Sequence, residues 1–282
     1  MSHRPLLDRT AAHAAAFLDD LDRAHVAPTA TADELRAALR RPLPEHGVEP
    51  EQVIDELVRD VDGGLLGSTG GRFFGWVVGG AVPAAVAADW LAAAWDQNGA
   101  IYDTSPAAAI VEETCGEWLK ELLGLPARAS FALVTGCQMA HVTCLAAARQ
   151  SLLAACGVDV LRNGLAGAPP VRVLASEVRH ATVDRALRLL GIGTDAIDEI
   201  PAEKSGRIDL GRLEDALERE RGLPTLVCLQ AGELNTGAFD AFAETTGLAH
   251  ARDAWVHVDG AFGLWAGASP SHRHLVRGVE LA

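Results

Sequence analysis

Apolar positions along the chain change their period part-way through. From Leu6 to Arg41 they recur at helical spacing, with Asp33 placed to cap ELRAALRR and Pro42 to stop it, and a second amphipathic helix is predicted from Pro50 to Val61. The expected organisation is therefore a helical N-terminal arm over residues 1–60, followed by one large domain over 61–282. The stretch GGLLGSTGGRFFGWVVGG then breaks helical spacing with its glycines. It reads either as a connection packed on its own domain or as a loop on the substrate side, with Arg72, Phe73, Phe74 and the Trp95–Tyr102 segment as candidates to line a pocket.

Helices are expected over Val82–Trp95 and Ser105–Leu123. The second opens with Ser105 at the cap and Pro106 at the first helical position, and Gly124 ends it. Beyond it, short β-rich runs alternate with helices. Strands are predicted at Phe131–Val134, Val171–Ala175, Ala196–Ile200, Thr225–Gln230 and Ala254–Val258. The helices between them run through Arg149, over Ala181–Leu190, over Leu210–Arg221 and around Thr245–Ala251. Alternation of this kind requires a largely parallel sheet covered by helices on both faces, an α/β architecture.

Composition narrows the partners. The chain has 282 residues, 49% hydrophobic and 22% charged, with a formal net charge of −14 and basic groups that are 22 Arg against 2 Lys. A chain this acidic repels phosphate backbones, so no nucleic-acid partner is expected. The N-terminus lacks an uninterrupted apolar core, and GWVVGGAVPAAVAADWLAAAW is broken by Gly79, Gly80, Pro83 and Asp89, which predicts neither a signal peptide nor a membrane span. Five widely spaced cysteines without a CxxC pair favour a reducing, cytoplasmic setting and no metal site.

Chemistry is expected where strands meet helices, since open parallel sheets keep ligands at the carboxyl ends of their strands. FALVTGCQMAH presents Gly136, Cys137 and Gln138 at a helix N-terminus, an anion site by dipole and unpaired N–H groups, although GxGxxG and GxxxxGK[ST] are both absent. ASEVRHATVDR places His180 just ahead of a helix, to cap it or to lie against a planar ligand. LQAGELNTGAFD offers Asn235, which turn chemistry alone also explains. WVHVDGAFG delivers Asp259 beside Gly260 and Ala261, as a cap or as a working carboxylate. Taken together, the four junctions suit a flat, phosphorylated, protonated heterocycle.

The order TGCQMAH, then His180 after SEVR, then NTGAFD, then HVDGAFG resembles the large domain of the pyridoxal-phosphate-dependent amino acid decarboxylases, the group that includes aromatic amino acid, glutamate and diaminobutyrate decarboxylases. WDQNGAIYDTSPAAAIVEETCGEWLKELLGLP adds to the likeness, which runs from about Leu57 to the last residue. The resemblance implies an aspartate-aminotransferase-like fold (PLP fold type I), pyridoxal 5'-phosphate as cofactor, a homodimer, and release of carbon dioxide and an amine from an L-amino acid. The same cofactor also serves transamination, aldol cleavage and desulfuration, and a non-catalytic cofactor-binding remnant is a further alternative.

By the same resemblance Asp259 pairs with the pyridine nitrogen, His180 stacks on the ring, Ala261 packs near its other face, the N–H groups of Gly136, Cys137 and Gln138 hold the phosphate, and Asn235 lies close to the ring substituents. Cys137 and Gln138 are bulkier than the residues many relatives carry there. The family's Schiff-base lysine follows the aspartate strand in a His-Lys pair that this sequence does not reach. Lys120 and Lys204 read instead as solvated surface residues, and an incomplete chain, truncated or split, lacking the small C-terminal domain, is expected.

Overall fold

The structure is a computed structural model that describes residues 2–219 and 221–282. Its contacts divide into a compact unit that runs to Asp96 and a second, Gln97–Ala282.

In the first unit, α1 (Arg4–Asp20), α2 (Ala32–Leu39), α3 (Pro50–Asp60) and α4 (Pro83–Trp95) each carry no buried residue. Ion pairs link these elements. Arg9 on α1 pairs with Asp55 on α3, whose Oδ1 also lies 3.0 Å from His13 Nε2, and Arg41 reaches Glu56 and Asp60. The cap of α2 is not Asp33. Thr31 occupies the position, accepting from the Glu34 N–H while the Glu34 carboxylate accepts from the Thr31 N–H, a reciprocal capping box that leaves Asp33 inside the first turn.

The glycine-rich loop folds back on its own unit. The Thr29 and Ala30 N–H groups donate to the Gly63 carbonyl at 2.8 and 2.9 Å, and Gly67 N–H donates to Val26 O at 2.9 Å. Arg72, a candidate pocket residue, donates to the Leu21 and Ala24 carbonyls of the same unit.

The second unit opens with α5 (Pro106–Leu123), which ends at Gly124 in the left-handed conformation, φ 71°. Ser105 starts it, but its hydroxyl makes no cap bond and is buried. Lys120 corrects the expectation of a solvated side chain. It is 7% exposed, with Nζ donating to the Ala127 and Ala129 carbonyls at 2.9 and 3.2 Å and lying 2.8 Å from Glu117. The chain after α5 folds back over the helix and offers its carbonyls to the amine, a return that local spacing does not announce.

The same return explains why Phe131–Val134 is not the first strand. Phe131 seats its ring on Gly116, where an added Cβ would come within 2.0 Å of Cζ, and Lys120 Nζ stands 5.9 Å from the ring centre. No described strand pairs with these residues, which leaves Leu133 56% exposed. An apolar run becomes a strand only where a neighbouring ladder satisfies its backbone.

Among the described residues the sheet has four strands, β1 (Arg172–Ser176), β2 (Ile197–Ile200), β3 (Thr225–Gln230) and β4 (Trp255–Asp259), all parallel in the order β2-β1-β3-β4. β1 and β3 are buried along their whole length, as strands covered on both faces must be. Their side chains alternate between two cores. Val173, Ala175, Leu226 and Cys228 pack with α6 (Cys137–Ala155) and α8 (Ala181–Leu189), whereas Leu174, Val227 and Leu229 pack with α9 (Leu210–Arg219) and with Phe242 of α10 (Phe242–His250). A short helix, α7 (Val160–Asn163), closes the first core through Val160. β4 departs from the rule. Val256 serves the second core, but Cys228 aligns with His257, so the face of β4 turned to α6 carries His257 and Asp259.

Candidate cofactor site

Four chain segments bring polar groups to the carboxyl ends of these strands. The first is the entry to α6. Gly136 caps it with φ 104° and ψ 172°, a conformation that L side chains rarely adopt, and nothing lies within 4 Å of the place a Cβ would occupy. Cys137 is exposed, and the opening N–H groups of the helix have no intrahelical acceptor. Gln138 donates from Nε2 to Thr182 O at 3.1 Å, while its buried Oε1 has no hydrogen-bond partner among the described residues.

The second segment carries His180, the N-cap of α8. Its Nδ1 lies 3.3 Å from the Thr182 N–H and 2.7 Å from Thr182 Oγ1. The backbone N–H can only donate, so Nδ1 is the acceptor and the neutral ring holds its proton on Nε2. His180 is exposed, and Thr182 ties it to Gln138, so two of the predicted site residues share one anchor.

The loop after β3 is the third. Asn235 is exposed and turned inward on its own turn, with Nδ2 donating to Glu233 Oε1 at 2.7 Å and its N–H to Oε2 at 2.9 Å. Thr236 gives Glu233 two further bonds. Burial opposes the charge on Glu233, but these four donors outweigh it and hold the carboxyl below its usual range. Beneath, the buried Asp240 accepts from the Ile208 and Gln230 N–H groups at 2.8 and 2.7 Å, pinning the far end of the loop.

Asp259 ends β4. Its carbonyl accepts from Ala231 N–H at 2.8 Å, its Oδ1 accepts from Ala261 N–H at 3.1 Å, and its Oδ2 lies 3.3 Å from His141 Nε2. The side chain is 12% exposed. Burial pushes this carboxyl up, yet the hydrogen bond and charge of His141, the Ala261 N–H and the charge of His257 together leave it below the usual carboxylate range. Asp259 is thus a half-buried, ionised carboxylate at a strand terminus. Ala261 is exposed and meets Asp259 through that backbone bond.

His141 and His257 were not among the predicted site residues, and both join the site. His141 Nδ1 stands 2.9 Å from His257 Nε2. The signal was present in HVD. In a strand of period two, a His two residues before the Asp shares its face, and a polar pair on a buried face needs a partner.

A family model described as the pyridoxal-dependent decarboxylase conserved domain matches residues 33–282. The chain belongs to that family, whose cofactor is pyridoxal phosphate, and has its fold. It is 30% identical over 260 residues to the aromatic-L-amino-acid decarboxylase of Bacillus atrophaeus, covering 91% of this chain and 52% of that protein. It is 35% identical over 207 residues to L-2,4-diaminobutyrate decarboxylase of Rhizobium meliloti, covering 72% of this chain and 39% of the relative. Among solved structures, Oryza sativa TDC with PLP and tryptamine superposes with a TM-score of 0.89 at 27% identity, covering 99% of this chain and 61% of that one. The chain spans about half the length of the curated relatives it matches.

The residues present fit pyridoxal phosphate at two points. The open cap at Gly136 suits an anion, and the ionised, partly open Asp259 suits a protonated ring nitrogen. Neither lysine is placed to bind it covalently, since Lys120 is engaged with carbonyls behind α5 and Lys204 sits exposed in the turn before α9.

Proposed function

We propose that this chain is the cofactor-binding part of a pyridoxal-phosphate-dependent carboxy-lyase that converts an L-amino acid into an amine and carbon dioxide. The observation that carries the reading is Asp259, held ionised at the end of β4 by His141 and the Ala261 N–H. When bound, pyridoxal phosphate supplies an electron sink for the pair left at Cα as the carboxylate departs. The protein's share is placement. Asp259 would keep a proton on the ring nitrogen, the N–H groups of Gly136, Cys137 and Gln138 would hold the phosphate, and His180, its Nδ1 fixed by Thr182, would lie against the ring. Ala261 and Asn235, the latter steadied by Glu233, would complete the surround of the ring.

The names of the relatives, aromatic-L-amino-acid, tryptophan, diaminobutyrate and cysteine sulfinic acid decarboxylases, support the reaction and leave the side chain of the substrate open. The test is to supply the whole protein with pyridoxal phosphate and carboxyl-labelled L-amino acids. Labelled carbon dioxide with the matching amine is the expected result, and products that retain the labelled carboxyl contradict it.

We assign residues 1–60 to an arm and 61–282 to the cofactor domain, and propose a cytoplasmic homodimer in which the arm wraps a twofold partner. Three observations support this. The first four helices bury no residue, Phe74 and Trp76 are 92% and 81% exposed, and all five cysteines are free. No helix among the described residues is long and apolar enough to cross a membrane. Deleting Leu6–Arg41 is expected to abolish dimerisation, read by light scattering; a stable dimer without the segment overturns the arm's role.

A further inference from the structure

Two buried histidines stand behind Asp259, and the scheme above uses only His141, as a group that holds the carboxylate ionised. His141, one turn into α6, is 4% exposed, and His257 in β4 is 7% exposed. Their rings meet edge to face, centroids 5.1 Å apart at 61°, with Nδ1 of His141 2.9 Å from Nε2 of His257. His141 Nε2 then lies 3.3 Å from Asp259 Oδ2, so the three side chains form one continuous line from the sheet to the carboxylate.

The donors in that line can be assigned. A carboxylate only accepts, so His141 carries hydrogen on Nε2. The contact between the rings holds a single hydrogen. When His141 is neutral, that hydrogen belongs to His257 Nε2; when His141 is cationic, it belongs to His141 Nδ1, and the added proton sits on His257 Nδ1, which leaves that ring neutral. His257 stays neutral in both states, because burial and then the charge of His141 push it down to about 4 against the pull of Asp259. The titratable groups acting on His257 are His141 from α6 and Asp259 from its own strand. Cys228 of β3 lies beside it in register, with Arg179 and Asp184 acting electrostatically on that thiol, which burial and then Asp259 push up to about 12.

We propose that His141 and His257 are positioning residues that back Asp259: His141 donates to the carboxylate in either charge state, and His257 absorbs the change by exchanging tautomers without breaking a contact. Asp259 therefore keeps its orientation and its full negative charge whether or not a second cation faces it. The use of this device toward a ring nitrogen rests on the cofactor reading above, while the relay itself does not.

The test is a long-range proton–nitrogen correlation spectrum of the labelled chain without cofactor, followed from about pH 8 to about pH 5. His141 Nε2 is expected to stay protonated throughout, and His257 to stay neutral, with its hydrogen on Nε2 wherever His141 is neutral and on Nδ1 wherever His141 is cationic. A cationic His257 in this range, or a His141 with bare Nε2, overturns the relay. A second arm follows the carboxyl carbon of Asp259. His141→Leu is expected to raise its titration, and His141→Gln, whose amide N–H can donate, to undo most of that rise; no rise in the leucine variant also overturns the relay. If the histidine spectra come out as expected while pyridoxal phosphate binds the wild type and Asp259→Ala equally well, the relay stands and the ring pairing fails.

Discussion

The unit that runs to Asp96 and the sheet unit that follows are stabilised by different means. In the first, no described residue is buried, and α3 is linked to α1 and to Arg41 just after α2 by ion pairs whose arginines are about half exposed. In the second, Leu174, Val227 and Phe242 are 0%, 0% and 1% exposed between sheet and helices. Exposed ion pairs contribute little because water already solvates both charges, whereas each buried apolar side chain adds roughly 1.5–3 kcal/mol. The sheet unit therefore provides a rigid frame, and the site is built on it. The N-terminal helices present unspent apolar surface, as expected of a segment that completes its packing against something else.

This contrast can be broken at several points. The largest effect is expected from Phe242→Ala, which opens a cavity under the sheet and should cost about 3–5 kcal/mol in denaturant unfolding. Phe17→Ala, on α1 and 41% exposed, should cost about half a kcal/mol at dilutions where the chain is monomeric. Equal costs would show that the two units are packed alike.

A second test uses acid. His257 has a folded-state value of about 4, below its ordinary 6.5, so the unfolded chain takes up a proton first as pH falls. Stability should decline from about pH 6.5 to about pH 4 by about 3 kcal/mol, with no further loss from this group below that. His257→Phe should flatten this window, and an unchanged decline would place its origin elsewhere. The smallest effect belongs to the N-terminal unit. Thr31→Ala removes the hydroxyl that caps α2 and should cost about 1 kcal/mol, read as lost helix signal, with no change in cofactor affinity.

Most of the architecture was legible because hydrophobic period reports burial directly. The strand expected at Thr225–Gln230 agrees to the residue, and the helix expected around Thr245–Ala251 falls within a few positions of α10. What misled was local sequence whose fate depends on distant chain. Phe131–Val134 has strand composition but no ladder beside it, Lys120 has a surface residue's charge but meets carbonyls folded back from Ala127 and Ala129, and Asp33 competes for a cap that the Thr31–Glu34 reciprocity wins. The junction residues could be named because turns and strand ends are local features. The partner of Asp259 could not, since His141 is distant in sequence and only the packing of α6 on β4 brings them together.

The central claim is that Asp259 is the ionised partner of the cofactor's ring nitrogen. The most direct measurement is the affinity of the chain for pyridoxal phosphate, by fluorescence titration, in the wild type and in Asp259→Asn, which keeps the size and removes the charge. The account predicts binding weakened about tenfold or more in the variant, the loss expected when a charge-assisted bond is replaced by a neutral one. Equal affinity in the two proteins would contradict it.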